Sequence, residues 1–322
     1  MALSQEVRQS IAEQISLGFD KLNLRPPAET RELMRNAPAN PHPIAVGEVI
    51  NLVLPREDMP VRPGAEIPLR IYIPAGEGPF PVVVYFHGGG FVLMSIDTHD
   101  DICRQICVQS GSVVLSVGYL LAPEHPYPAG PDSCLAAASW MIKNAAKFRG
   151  DAGRMAVAGD SAGGYMALAT AQGLTSEGFI LKAQFATYPV TDHYSAHHPS
   201  WVENGKDYVL TAEIMKWFWD NFLPDLTKVD EASPLRTKDF SKLPPALIFT
   251  CNYDPLRDEG RDYADKLRQA HVEATYRNWE NIHGFFGLGK MGQEAMDVAC
   301  SFLKEKLRAT AKSGAEKLNA DG

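Results

Sequence analysis

The stretch MAVAGDSAGGYMALA, residues 155–169, reads as a buried strand that turns abruptly into a helix at Ser161. A serine on such a sharp turn needs Gly159 and Gly163 on either side, because a Cβ there would collide with neighbouring backbone. The turn sets the hydroxyl of Ser161 at a helix N-terminus, whose partial positive charge favours a nearby oxyanion. We therefore interpret Ser161 as a candidate nucleophile, against the plainer alternative of a glycine-rich helix start without chemistry.

Short apolar segments alternate with helical segments on both sides of this turn. The alternation is typical of an α/β protein with a mostly parallel sheet that is buried on both faces. Two earlier strands, 45–54 and 67–73, predict a hairpin-like opening. The later strands are predicted at 82–86, 112–117, 155–159, 183–189, 246–251 and 272–279, and the helices at 98–110, 131–148, 162–176, 258–270 and 291–309.

A histidine base for Ser161 is expected after it in the chain, because proteins built on this turn order their residues as serine, acid, histidine. His283, in ENIHGFFG, follows the last predicted strand in a loop and is the predicted base. His271 ends a predicted helix and is interpreted as structural. The remaining histidines fall in a polar loop without a carboxylate motif such as HExxH, so no metal site is predicted there; they are His193, His197 and His198.

The acid partner is predicted to be Asp254, the first carboxylate beyond strand 246–251. There it would accept a hydrogen bond from the histidine and stabilise the imidazolium that forms. Asp192, after the preceding strand, is a rival. Asp258 and Glu259 are assigned to the following helix.

Three consecutive glycines interrupt an apolar strand in VYFHGGGFVL, residues 84–93. Glycines let backbone N–H groups approach a substrate closely, and such donors stabilise the oxyanion that forms when a carbonyl is attacked. Gly88, Gly89 and Ala162 are the predicted donors of this oxyanion hole. His87 is interpreted as a residue that fixes the loop.

The motifs HGGG, GDSAGG, DPLRDE and IHGF occur in order, together with GYLLAPEHPYPAG at 118–130. On these motifs the chain, over about residues 45–310, resembles the hormone-sensitive-lipase-like branch of the α/β-hydrolases, the bacterial family IV esterases. The resemblance implies an α/β-hydrolase fold with an eight-stranded, mostly parallel sheet and a helical cap. It also implies a serine carboxylesterase that hydrolyses short- to medium-chain acyl esters without a cofactor. The implied triad and hole are the residues already chosen: Ser161, Asp254, His283, Gly88, Gly89 and Ala162.

Two positions depart from the family's motifs. Leu120 stands where an arginine is usual, which we expect to change a structural ion pair. Met94 stands where a glycine is common, which adds bulk near the predicted acyl pocket. The predicted substrate-binding residues are Met94, Asp160, Trp217 and Phe218; the last two line the acyl site or pack the cap helix on the core.

The segment from Val190 interrupts the alternation with a polar loop and an aromatic helix, AEIMKWFWDNF. Insertions after a strand usually lie above the carboxyl edge of the sheet, where ligands bind. We therefore predict N-terminal cap helices at 1–44, a catalytic core at 45–189 and 235–312, a cap insertion at 190–234 and a tail at 313–322.

The formal net charge of −8 and the lack of a Lys/Arg cluster argue against a nucleic-acid partner. No apolar run indicates a signal peptide or membrane span, so a cytoplasmic protein without a membrane partner is predicted. Five scattered cysteines are typical of reduced thiols.

The predicted partner is a small-molecule ester, and a homodimer is expected by analogy with the family. Two alternatives to an esterase remain open. The same residues suit an amide, formamide or lactone hydrolase. Relatives that lost the histidine have become non-catalytic small-molecule-binding proteins, and the presence of His283 favours an enzyme.

Overall fold

The described residues form an eight-stranded β-sheet, and it is mostly parallel as predicted. A computed structural model describes residues 3–36, 40–58 and 65–308, so the predicted tail at 313–322 lies outside the described residues. The order across the sheet is β1-β2-β4-β3-β5-β6-β7-β8, with antiparallel pairs β1–β2 and β2–β4 and parallel pairs elsewhere. The strands are β1 (Glu48–Val53), β2 (Pro68–Ile73), β3 (Phe80–Phe86), β4 (Val113–Val117), β5 (Gly150–Asp160), β6 (Ala183–Thr187), β7 (Ala246–Tyr253) and β8 (Ala274–Ile282).

The helices fall close to their predicted positions. One predicted helix, 131–148, is an α-helix that ends at Asn144 and continues as a 3₁₀ turn, Ala145–Phe148. The described α-helices are α1 (Gln5–Ser16), α2 (Pro27–Arg35), α3 (Asp100–Ser110), α4 (Ala129–Asn144), α5 (Ala162–Ser176), α6 (Pro199–Glu203), α7 (Ala212–Phe222), α8 (Arg257–Gln269) and α9 (Gly289–Lys306). Within the described ranges, no helix combines the length and apolar character that crossing a bilayer requires.

Both faces of the central strands are buried, which explains why these strands are continuously apolar. In β3, Val82, Val84 and Phe86 join one hydrophobic cluster, while Val83 and Tyr85 join the cluster on the opposite face. Successive side chains of a strand point to opposite faces, so a strand covered on both sides cannot alternate polar with apolar residues. Helices pack over each face of the sheet, which leaves the strand ends available for a functional site.

The carboxyl ends of five parallel strands meet at one edge of the sheet. Gly88 follows β3, Ser161 follows β5, Tyr188 follows β6, Asp254 follows β7 and His283 follows β8. Ligands of open α/β sheets bind at this edge. The topology alone therefore collects most of the predicted site residues.

Helix α1 is attached to the segment that carries His283. Val7 is fully buried and packs with Ile282. The carboxylate of Glu6 accepts the N–H of Met291 at 2.8 Å, and the amide Nε2 of Gln14 donates to the carbonyl of His283 at 3.2 Å. The N-terminal helix thus supports the loop after β8.

Helix α2 supplies an arginine to the segment in which Leu120 departs from the family pattern. The guanidinium of Arg31 pairs with both carboxylate oxygens of Glu124, each at 2.9 Å, and also donates to the carbonyls of Val92 and Ala122. A bidentate pair of this kind fixes the relative orientation of the two side chains and also attracts them to each other. Arg31 therefore joins α2 to the glycine loop and to the segment around Glu124.

Glu259 joins α8 to the beginning of the 190–234 insertion. Its carboxylate accepts the backbone N–H groups of Thr191 and Asp192, at 2.7 and 3.2 Å, and the indole N–H of Trp201 at 3.0 Å. Complete burial raises the pKa of Glu259 to about 8, although these donors favour the charged form. We therefore expect the junction between α8 and the insertion to be sensitive to pH.

Replacing Glu259 with Gln is expected to remove a pH dependence of stability. The folded-state pKa of about 8 lies above the ordinary value of 4.5, so the folded protein holds a proton that the unfolded chain releases. The resulting stabilisation is full below the unfolded pKa and is lost as the pH rises through the folded pKa. Between pH 5 and pH 8 this group should lower the free energy of unfolding by about 3 kcal/mol.

Urea unfolding of the wild type and of Glu259→Gln at the two pH values measures this difference. The exposed carboxylate variant Glu177→Gln is the control and should follow the wild type. An equal pH dependence in the wild type and in Glu259→Gln would contradict the prediction.

Candidate active site

Ser161 occupies the sharp turn that the sequence predicts. It follows β5, precedes α5 and has a φ of +56°, a conformation that is strained for a non-glycine residue. A Cβ at Gly159 would overlap the backbone of Gly163, and a Cβ at Gly163 would overlap the carbonyl of Phe86. The predicted reason for both glycines is confirmed.

A hydrogen-bonded chain joins Ser161, His283 and Asp254. The Nδ1 of His283 lies 2.7 Å from Oδ2 of Asp254, and its Nε2 lies 2.8 Å from Oγ of Ser161. Asp254 is fully buried, and its second oxygen accepts the N–H of Leu256 at 2.9 Å. Since a carboxylate accepts from Nδ1–H, Nε2 is left to accept from the serine hydroxyl. The structure thus brings the three predicted residues together.

The rival acids are engaged elsewhere. Asp192 accepts from Nε of Arg236 at 2.7 Å and also pairs with His198. Burial opposes ionisation of Asp192, but His198 and Arg236 outweigh it and hold its pKa below the usual value. Asp258 accepts the N–H of Ser200, and Glu259 belongs to the junction described above.

The histidines of the polar loop form no metal cluster with the residues around them. His198 bridges Asp192 and Asp262, while Nδ1 of His193 bonds the hydroxyl of Ser195. In the part of the chain that the structure describes, no group of three or more His, Cys, Asp or Glu residues could hold a metal ion.

Each of the three consecutive glycines meets a different neighbour. A Cβ at Gly88 would overlap the carboxylate of Asp160. Gly89 has a φ of +113° and lies against the carbonyl of Leu93, and Gly90 has a φ of +59° and lies against the ring of Phe218. The run of glycines therefore has three separate causes: a buried charge, a reversal of the chain and an aromatic side chain.

The N–H of Gly88 is used inside the protein. It donates to Oδ1 of Asp160 at 3.1 Å and lies 3.3 Å from Nε2 of His99. The prediction that Gly88 offers its N–H to a substrate is therefore wrong for this structure. Among the described residues, nothing accepts the N–H of Gly89 or Gly90, and the N–H of Ala162 is at the start of α5, where helices leave donors unpaired.

Asp160 supports the glycine loop from within the protein, although the sequence suggested a contact with substrate. Only 7% of its surface is exposed, and its carboxylate also accepts the phenol O–H of Tyr85 at 2.7 Å and pairs with His99. Burial works to raise the pKa of Asp160, but the charge and hydrogen bond of His99 and the bond from Tyr85 lower it overall. A buried anion thus holds Gly88.

His87 fixes the loop as predicted. Its Nδ1 contacts the carbonyl of Gly88 at 2.7 Å, and its ring stacks on Tyr119 with the centroids 4.4 Å apart. Burial, with the nearby His99, lowers the pKa of His87 to about 3, so the ring is neutral at ordinary pH. His87 therefore adds no charge beside the glycine loop.

Helix α7 places an aromatic cluster on the glycine loop. Phe222 stacks on Phe91 with the centroids 4.0 Å apart, and Phe218 contacts Gly90. Trp217 is partly buried beside Phe218, with the centroids 5.2 Å apart. The adjacent rings of α7 therefore face different surroundings.

Met94 lines a surface cavity of about 480 Å³ together with His87, Tyr119 and Leu120. Neither Ser161 nor His283, both described residues, lines this cavity. Met94 packs close to Gly89. The predicted contact of Met94 with the acyl group stays a prediction.

Tyr188 is a site residue that the sequence analysis did not identify. It directly follows β6, has a φ of +37° and places its ring 4.4 Å from the imidazole of His283, centroid to centroid. Its position at the end of a parallel strand was the only sequence signal available. The positive φ and the contact across the chain have no local signature.

A serine, an imidazole and a buried carboxylate linked at the carboxyl edge of a mostly parallel sheet define an α/β hydrolase. A family model described as the α/β-hydrolase fold matches residues 83–287. The chain belongs to this family, and its resemblance to the hormone-sensitive-lipase-like branch is confirmed.

Two proteins of Mycobacterium tuberculosis and one crystal structure are similar to this chain. The chain is 40% identical to the carboxylic ester hydrolase LipN of Mycobacterium tuberculosis over 71% of its own length, although the match spans only 64% of LipN. It is 39% identical to the carboxylesterase NlhH of that organism over 76% of the chain and 80% of NlhH. The crystal structure of an α/β-hydrolase enzyme from the metagenome of Lake Arreo, Spain, is 38% identical, with a TM-score of 0.84 over 94% of this chain and 98% of that one.

Replacing Gly90 with Ala is expected to disturb the packing of α7 on the glycine loop. The new Cβ would overlap the ring of Phe218, in addition to the strain of a positive φ. Gly111 is a matched control, because its φ is +66° and nothing lies within 4 Å of a Cβ there. Gly90→Ala should lower the free energy of unfolding by about 1–3 kcal/mol more than Gly111→Ala, and only Gly90→Ala should lower esterase activity.

Chemical unfolding and ester hydrolysis measure the two effects. Combining Gly90→Ala with Phe218→Ala should cost less than the sum of the two single changes, because the overlap disappears. Equal losses for Gly90→Ala and Gly111→Ala would count against the contact.

Proposed function

We propose that the protein is a serine carboxylesterase that hydrolyses short- to medium-chain acyl esters through an acyl-enzyme intermediate. The observation that carries the proposal is the continuous hydrogen-bonded chain from Asp254 through His283 to Ser161. Membership of the α/β-hydrolase family and the names of the relatives support carboxylic ester hydrolysis as the reaction class.

In acylation, Ser161 attacks the ester carbonyl while Nε2 of His283 takes the hydroxyl proton. Asp254, held in a fixed place by burial and by Leu256, stabilises the imidazolium and keeps the ring in the required tautomer. The carbon–oxygen bond to the alcohol then breaks, and His283 returns the proton to the leaving alkoxide. The acyl group remains on Ser161.

In deacylation, water replaces the alcohol as the nucleophile. His283 takes a proton from this water as it attacks the acyl carbonyl, and then returns the proton to Oγ of Ser161. The carboxylic acid leaves and the enzyme is restored. The same imidazole therefore acts twice as a base and twice as an acid.

The oxyanion of each tetrahedral intermediate is stabilised by the N–H groups of Gly89, Gly90 and Ala162. This assignment is supported by the hydrogen bonds of the loop. The N–H of Gly88 donates to Asp160, whereas these three donors have no internal partner among the described residues. A preorganised donor is worth about 2.7–4 kcal/mol in the transition state.

The acyl group is proposed to bind beneath α7, where Phe218 lies against the glycine loop and Trp217 lies beside it. The apolar rings of α7 favour a neutral ester over a charged substrate.

The division into N-terminal helices at 1–44, a cap at 190–234 and a core stays a prediction, as do the homodimer and the cytoplasmic location.

Ser161→Ala should remove hydrolysis of p-nitrophenyl butanoate while the fold is kept. Loss of the nucleophile is expected to lower kcat by about 10⁵–10⁶-fold, because the remaining residues cannot form the acyl-enzyme. Ser176→Ala, at the far end of α5, is the matched control and should keep full activity. Circular dichroism checks the fold, and substantial activity in Ser161→Ala would refute the assignment.

A panel of acyl esters from short to long chains, with an anilide and a lactone, identifies the preferred substrate class. Faster turnover of the anilide or the lactone than of every ester would replace the esterase assignment with an amidase or lactonase. Binding of an ester without turnover would favour a non-catalytic receptor.

Activity should fall as the pH is lowered below neutrality. A protonated His283 cannot accept the proton of Ser161, so the rate declines on the acid side. Initial rates between pH 5 and 8, read at the isosbestic wavelength of p-nitrophenol, measure this decline. His271→Asn, at an exposed position with a φ of +61°, is the control and should keep the same profile. A rate that is constant across this range would contradict the role of His283.

A further inference from the structure

Tyr188 is held in an unfavourable backbone conformation beside His283. Its φ of +37° is rare for a bulky residue and persists only where the surroundings enforce it. Its N–H donates to the carbonyl of Phe249 at 2.7 Å, and only 2% of the residue is exposed. Phe285 packs beside its ring, with the centroids 6.0 Å apart. The strain is therefore maintained by strand β7 and by the loop after β8.

The consequence of this conformation is an aromatic contact with the imidazole. The ring centroids of Tyr188 and His283 lie 4.4 Å apart, with the planes inclined at 50°. Asp254 contacts Nδ1 and Ser161 contacts Nε2, while Gln14 bonds only the backbone carbonyl of His283. Both side-chain bonds lie at the edge of the imidazole, so Tyr188 supplies the ring contact that they do not.

Tyr188 meets the imidazole as a neutral ring. Burial first, then the charge of Asp160 and the nearby Cys251, raise the pKa of its phenol well above the usual value, and Asp254 adds to this effect. The backbone of Phe286 acts in the opposite direction and lowers this pKa, but burial outweighs it. The π-system of a neutral aromatic ring attracts a cation, most strongly where water is excluded.

We propose that Tyr188 is a positioning residue for the reaction: its ring holds the imidazole plane of His283 between Asp254 and Ser161 and stabilises the imidazolium that forms when Ser161 attacks. This role rests on the proposed function of His283 as the base. Tyr188 exchanges no proton, because the proton moves only between Oγ of Ser161, Nε2 of His283 and the leaving group.

The test compares Tyr188→Leu with Tyr188→Phe. Leucine removes the aromatic ring, so kcat should fall by about 3- to 30-fold and the acid limb of the pH profile should move to lower pH by about half a unit or more. The limb moves downward because the protonated imidazole loses its aromatic neighbour. Phenylalanine keeps the ring, so both quantities should stay within about twofold and a few tenths of a pH unit of the wild type.

Three results would overturn the proposal. An unmoved acid limb in Tyr188→Leu would leave only a packing role. An equal loss in Tyr188→Phe would assign the effect to the hydroxyl. A loss confined to KM and dependent on acyl length would make Tyr188 a substrate contact.

A measurement on the folded wild type covers the case in which Tyr188→Leu does not fold. The carbon-bound imidazole protons of His283, identified by their absence in His283→Asn, should show a ring-current shift that Tyr188→Phe preserves. Unshifted protons would refute the contact. Failure of the proposed function is recognised separately, because the wild type would then lack an acid limb or Ser161→Ala would remain active.

Discussion

The parallel pairing of β3 with β5, in the register that sets Phe86 opposite Gly159, is the constraint on which the site depends. It brings the turn that carries Ser161 against the start of the glycine loop so closely that a Cβ at Gly159 or at Gly163 would overlap the carbonyl of Phe86. A side chain at either position would push the strands apart or shift the register. This close approach determines where Ser161 lies at the end of β5. It also determines the position of Asp160 beside Gly88 and the direction of the glycine loop.

The close approach also explains why a charge is buried behind the glycine loop. Burying a carboxylate is costly unless polar partners compensate, and the partners of Asp160 are Tyr85, Gly88 and His99. Because Asp160 binds the first glycine N–H, the loop cannot rotate that peptide toward solvent. The following two peptides are left free to donate elsewhere. The hydrogen bond from Gly88 to Asp160 thus fixes the orientation of the N–H groups of Gly89 and Gly90.

The sequence predicted the parts of the site that have local or ordered signatures. Ser161 lies in a five-residue pattern, and the apolar strands place Asp254 and His283 just after strand ends, so their meeting at 2.7 and 2.8 Å needed only the topology. Contacts between distant segments that do not meet at strand ends were not predictable. Nothing near Arg31 indicates Glu124, 93 residues away, as its partner, and nothing near Tyr188 indicates a positive φ.

The hydrogen bond from the Gly88 N–H was not predictable for the same reason, because it depends on the direction of the Asp160 carboxylate, which lies on another strand.

Segments outside the parallel strands also contribute to the positions of the site loops. Phe218 of α7 presses on Gly90, Asn204 after α6 donates to the carbonyl of Asp254 at 3.2 Å, and Gln14 of α1 donates to that of His283. The glycine loop and the loops that carry Asp254 and His283 are therefore held by segments from outside the parallel strands. Because Phe218 also lies where the acyl group is proposed to bind, a change of this side chain would reshape the proposed pocket and the glycine loop together.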